Sequence, residues 1–197
     1  MKKSTSQNSR LFKQGAKRPG LTAAALRRAA LAAALLFTTG LGSAQAAELS
    51  ALWGINKGGS YSNATLALQS GPLWRHDFAH SRLDVVLEAS LGQVSSSEGP
   101  GSRHLTHLGL TPFARWWFAP QTAIEFGIGA NLFSGTTLGA KQISTAYQFG
   151  DSIGLLHRFA GTPWTLGARL THYSNADIKR PNPGQDYVQL RVGYSFN

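Results

Sequence analysis

A two-residue rhythm of polarity, recurring through the last three quarters of the chain, restricts its fold more than any other feature. In Gln121–Leu132, Thr122, Ile124, Phe126, Ile128, Ala130 and Leu132 form one set, and Gln121, Ala123, Glu125, Gly127, Gly129 and Asn131 form the other. Successive side chains of a strand point to opposite faces, so a period of two with one apolar set predicts a strand. Arg82–Leu91 repeats the pattern, with Leu83, Val85, Leu87, Ala89 and Leu91 opposite Arg82, Asp84, Val86, Glu88 and Ser90. Further alternating runs lie at 49–57, 64–74, 104–118, 144–158, 163–175 and 186–196. Eight strands are therefore expected, joined mostly by segments rich in Gly, Pro, Ser and Asn.

A soluble sandwich or a lipocalin-like barrel also alternates, but two features favour a barrel in a membrane. One side of the strands carries Arg82, Asp84, Glu88, Arg115, Glu125, Arg169 and Arg191, which suits a polar, hydrogen-bonded interior. The other side is apolar over the ~9–11 residues that a tilted membrane strand needs. Aromatic residues gather towards strand ends (Trp74, Trp116, Trp117, Phe118, Trp164, Phe196), as in interfacial girdles. Short connections, "APQT" and "FAGTP", alternate with longer polar ones, the habit of outer-membrane barrels. The expected fold is all-β, an eight-stranded antiparallel transmembrane β-barrel of the outer membrane. Asp151 is the exception: it shares a face with Tyr147, Phe149, Ile153 and Leu155, and would meet lipid unless a bulge or slip turned it inward.

The formal charge of +10 points to nucleic acid until its distribution is read. Eight of the 19 Lys and Arg precede Ala47, whereas all nine Asp and Glu follow it, so the remainder carries 11 cations against nine acids, a net +2. No nucleic-acid partner is expected from that balance. The basic start leads into "AALAAALLFTTGLG" and then "SAQAA", the order of a secretory signal peptide. The apolar run is shorter than the ~20 residues of a spanning helix. We expect residues 1–46 to be a signal peptide cleaved after Ala46, and 47–197 to be the barrel. The chain has no Cys, so the exported domain is not held by disulfides.

Near the C-terminus, the hairpin at 163–196 carries polar residues where an apolar row is due. Trp164, Leu166, Ala168, Leu170, His172 and Ser174 lie on one face of its first strand. Val188, Leu190, Val192, Tyr194 and Phe196 form the apolar row of its second strand, and Asp186 begins that row. His172, Ser174 and Asp186 thus converge on the lipid-facing side at one end of the hairpin. Residues i and i+2 of a strand are two rises of ~3.3 Å apart, and facing residues on paired strands have Cβ atoms ~4.5–5.5 Å apart. That spacing allows Ser174 as nucleophile, His172 as base and Asp186 as its orienting acid. The same residues could equally mark the boundary between membrane and water. His104 and His107 are three residues apart, hence on opposite strand faces, and no metal or other cofactor is expected.

The run His172-Tyr173-Ser174-Asn175-Ala176, followed by Pro181-Asn182 and Gly184, resembles the signature of the PagL family of outer-membrane lipid A 3-O-deacylases. The specific match covers 172–186, with strand number and signal peptide agreeing elsewhere. The resemblance implies an eight-stranded barrel with a Ser-His-acid triad on its lipid-facing exterior. It assigns His172 as base, Ser174 as nucleophile and Asp186 as acid. It also implies that Asn175, Ala176, Asp177 and Asn182 support the site or its oxyanion hole. Two positions depart from the family pattern. Asp186 replaces the usual Glu with a side chain one methylene shorter, and Asp177 stands where the family has Gly, which makes it the alternative acid.

The resulting expectation is an esterase that removes the 3-position 3-hydroxyacyl chain from lipid A, the lipid anchor of lipopolysaccharide. The competing reading is a non-catalytic barrel that binds a partner or surface through its external loops. Whether the barrel works alone or as a homodimer is left open.

Overall fold

Every alternating run but one becomes a single strand in the computed structural model, which describes residues 47–196. The strands are β1 (Glu48–Ile55), β2 (Tyr61–Gln69), β3 (Trp74–Asp77), β4 (Arg82–Ser96), β5 (His104–Ala119), β6 (Thr122–Phe133), β7 (Thr137–Leu138), β8 (Lys141–Gln142), β9 (Tyr147–Arg158), β10 (Trp164–Ser174) and β11 (Gln185–Ser195). The expected signal peptide lies outside the described residues.

Eight of these strands close on themselves. β1 pairs with β2 on one side and β11 on the other, β2 pairs with β4, and the ring continues through β5, β6, β9 and β10, all antiparallel. Each of these eight is paired on both sides, which is the condition for crossing a bilayer with strands, whereas β3 pairs with β4 alone. The run expected at 64–74 is split. β2 stops at Gln69, and β3 resumes along the same neighbour, β4, beyond Ser70–Leu73. Pro72 supplies no N–H to a ladder, so the break falls where the sequence places Gly71-Pro72. β7 and β8 form a small separate hairpin within the connection from β6 to β9.

Parity decides what faces inward. Arg169 donates to both oxygens of Glu88 at 2.8 and 2.9 Å and to Glu125 at 2.7 Å. Arg115 reaches Glu125 at 3.0 Å and Gln69 at 2.8 Å. Arg191 binds Glu48, Gln69 and Ser50. Buried charges persist only when paired and hydrogen-bonded, and these pairs come from strands all around the ring. Outside, Trp53, Leu66, Ile128, Val188 and Leu190 are each more than half exposed. So extensive an apolar exterior around a polar core is suited to lipid.

Trp117 departs from the expected aromatic girdle. Trp116 and Phe118 point outward, so alternation sends Trp117 inward, where it is 3% exposed and its indole N–H donates to Asp84 at 2.9 Å. The guanidinium groups of Arg82 and Arg158 lie 5.0 and 4.5 Å from its ring centre. The other five aromatics of that group are exposed.

Removing one member of the interior network should be costly. Arg169→Leu leaves Glu88 without its bidentate partner and strips Glu125 of one of its cations, and is expected to destabilise the barrel by roughly 3–5 kcal/mol. Urea titration in lipid vesicles, read as the folded fraction on unheated gels, checks this; a loss below ~1 kcal/mol would mean that the interior network is not what holds the barrel.

Candidate active site

The two ends of the barrel differ. Short turns join β3 to β4, β5 to β6 and β9 to β10 at one end, and both ends of the described chain lie there too. At the other end are the connections 56–60, 97–103, 134–146 and 175–184, the last three longer than any turn at the first end. The polar residues of the C-terminal hairpin lie at this second end.

Strand β10 runs to it with Trp164, Leu166, Ala168 and Leu170 outward and Thr165, Arg169, Thr171 and Tyr173 buried. Parity then places His172 and Ser174 outside, each half-buried. β11 pairs in a register that sets His172 directly opposite Asp186. The shorter acid reaches because of this opposition: His172 Nδ1 and Asp186 Oδ1 are 2.7 Å apart. An ionised carboxylate only accepts, so Nδ1 carries the proton and Nε2 is left as the basic nitrogen. Ser174 ends β10 facing Phe149 of β9, and its hydroxyl makes no hydrogen bond among the described residues.

On the other side of His172, directly opposite on β9, stands Asp151. The pairing of β9 with β6 and β10 runs past it without a break, so neither bulge nor slip turns it inward. It is exposed on the outer face. Four residues into its strand and level with the His172–Asp186 pair, it sits close to the end of the barrel wall, where a carboxylate can stay hydrated.

The chain leaves β10 through a tight turn. Ala176 and Asp177 have φ of 50° and 59°, a region that few non-glycine residues adopt. The N–H of Ile178 donates to the carbonyl of Asn175 at 3.0 Å. Asn175 is buried, and its side-chain N–H groups donate to the carbonyls of Ile143 at 3.1 Å and Lys179 at 2.7 Å. Its backbone N–H is engaged by Asn182 Oδ1 at 3.2 Å. Asn175 and Asn182 therefore brace the loop. The backbone N–H groups of Ala176 and Asp177 make no hydrogen bond among the described residues and remain available as donors. The Asp177 carboxylate is engaged by Arg180 at 2.9 Å and by Asn182 at 3.4 Å, whereas Asp186 takes the imidazole.

Sequence reasoning placed Gly184 in a motif without a physical reason, and the structure supplies one. Gly184 has φ of 63°, and a Cβ built on it would lie 2.7 Å from His172 Cε1. Its backbone forms a wall against the ring. Gly184→Ala should push the imidazole out of line and strain the turn, lowering any turnover that depends on His172 by roughly 10²-fold, since an ångström of misplacement can cost that much. Assays on folded protein check this; full activity would show that the ring tolerates the displacement. Lys141 and Ser144, which the sequence gave no reason to select, also reach this loop, at Gly184 and Pro181. His104 is exposed at the start of β5 and His107 is buried inside the barrel, so the two do not converge.

A family model described as Lipid A 3-O-deacylase (PagL) matches residues 63–195. A lipid A deacylase PagL of Bordetella bronchiseptica is 43% identical over 144 residues, covering 71% of this chain and 79% of the relative. One of Pseudomonas aeruginosa is 31% identical over 165 residues, covering 80% and 91% respectively. The crystal structure of the outer membrane enzyme PagL aligns with a TM-score of 0.65 at 28% identity, covering 75% of this chain and 98% of that one.

Proposed function

Since the chain belongs to the PagL family of lipid A 3-O-deacylases, we propose that it hydrolyses the 3-position ester of lipid A through Ser174, His172 and Asp186. It is a lipid A deacylase of the outer membrane; the three side chains, their roles and the product are our assignment. The observation that carries it is the 2.7 Å His172–Asp186 pair on the outward face, in the same row as Ser174.

In the first half of the reaction, His172 Nε2 takes the Ser174 hydroxyl proton as Oγ attacks the ester carbonyl. Asp186 keeps the ring in the tautomer that leaves Nε2 basic and stabilises the imidazolium that forms. The backbone N–H groups of Ala176 and Asp177 are the proposed donors to the developing oxyanion. With its charge engaged by Arg180 and Asn182, Asp177 can serve there through its backbone. The imidazolium then returns the proton to the departing sugar oxygen. Water, deprotonated by His172, attacks the acyl-Ser174 ester, releases a 3-hydroxy fatty acid and restores the serine.

The location fits the substrate. An esterified acyl chain of lipid A lies beside the barrel wall, so a nucleophile on that wall meets it by lateral diffusion without a closed pocket. We place the long-connection end, and with it the site, at the external face, and export by cleavage after Ala46 is part of the proposal. One barrel supplies all three side chains, so the reaction needs no second copy. Membership of an enzyme family overrides the non-catalytic alternative. Mass spectrometry of lipid A incubated with purified protein tests the reading: loss of one 3-hydroxyacyl group from the 3-position supports it, and loss from another position, or none, overturns it.

A further inference from the structure

We propose that Lys141 is a positioning residue for His172, acting through the backbone of Gly184; this rests on the triad reading above. Lys141 opens β8, in the connection between β6 and β9, and is separated from Gly184 by 43 positions. Its ammonium donates to the Gly184 carbonyl at 3.0 Å and lies 4.9 Å from the centre of the Tyr61 ring. Tyr61 is fixed in a buried cluster that includes Leu138, Ile143, Tyr173 and Tyr187. A cation held between a packed aromatic face and a carbonyl sets where that carbonyl can sit.

Gly184 is also the residue whose backbone lies against His172, where a single added carbon would come within 2.7 Å of Cε1. The same connection grips the catalytic loop twice more. Ser144 Oγ donates to the Pro181 carbonyl at 2.7 Å, and the Ile143 carbonyl accepts from Asn175 at 3.1 Å. Those two bonds tie the loop down, while Lys141 holds the residue that touches the imidazole. Without it, Gly184 is free to shift, and the ring is no longer confined to the orientation that serves both Asp186 and Ser174.

The test compares Lys141→Met and Lys141→Arg with wild type on lipid A in mixed micelles, with stability measured separately in urea. Lys141→Met should lower kcat on the order of tenfold with KM within about twofold, beyond any loss explained by unfolded protein. Lys141→Arg, which keeps a charged donor, should recover most of kcat. The downfield imidazole N–H resonance of the His172–Asp186 pair should broaden in the Met variant and return in the Arg variant. Wild-type kcat in Lys141→Met overturns the proposal, as does a loss matched by unfolding. A raised KM at unchanged kcat also overturns it, because the ammonium would then bind the anionic substrate. Ser174→Ala run alongside separates the two readings. If it stays active, the triad fails and this proposal falls with it; if it is inactive while Lys141→Met is normal, only the role of Lys141 fails.

Discussion

Ser174→Ala is expected to lower deacylation by roughly 10³–10⁶-fold, the range for loss of a triad nucleophile, while leaving the barrel folded. Removing Oγ abolishes the covalent route, and the remaining groups can only polarise the ester or guide water. The fold should hardly notice. Ser174 is the half-buried last residue of β10, its hydroxyl bonds to nothing among the described residues, and a surface substitution of this kind stays within about 0.5 kcal/mol. Heat-modifiable migration on gels and a release assay for 3-hydroxy fatty acid check both halves. An unfolded variant would say nothing about catalysis, so Ser174→Thr is the companion. It keeps a hydroxyl on a strand-favouring residue and should fold whatever its activity.

The second large effect separates the acids. Asp186→Asn preserves shape and strand pairing but exchanges a carboxylate for an amide that no longer stabilises the imidazolium and can favour the wrong tautomer. A fall of ~10²–10⁴ in kcat is expected. Asp186→Glu lengthens the acid by one methylene and should retain activity, because the facing register and the exposed side chain leave the longer chain room to fold back. Asp177→Asn should change activity by less than about tenfold, since its carboxylate is engaged by Arg180 and Asn182, away from the base. Asp151→Asn is a useful control, as Asp151 also stands beside His172 but makes no hydrogen bond to it. If Asp177→Asn or Asp151→Asn abolished turnover while Asp186→Asn did not, the acid would be misassigned.

Strand parity made much of this legible in the sequence. A period of two assigns each residue to a face, and for β10 and β11 it put His172, Ser174 and Asp186 outside before any pairing was known. Parity also exposed Asp151 as a carboxylate on an apolar face, although its position opposite His172 needed the register of β9 against β10. Trp117 was misread because the aromatics were grouped by their place along the strand, without regard to face. The division of β2 from β3 was written in Gly71-Pro72 but hidden by the alternation on either side. The braces around the 175–184 loop were not legible at all. Lys141 and Ser144 act on main-chain carbonyls 43 and 37 positions away, contacts that arise only when the closed ring brings separate connections to one end. A carbonyl acceptor is present at every residue, so such contacts leave no mark in composition or spacing.

Labelling of the nucleophile tests the central claim most directly. An alkyl fluorophosphonate presented in mixed micelles should react once per chain, the adduct should map to the peptide bearing Ser174, and deacylation should fall in proportion to labelling. His172→Ala should suppress the adduct, because an unassisted serine hydroxyl is a weak nucleophile. Full activity in protein completely modified at Ser174, or complete inhibition with the adduct on another residue, would contradict the account.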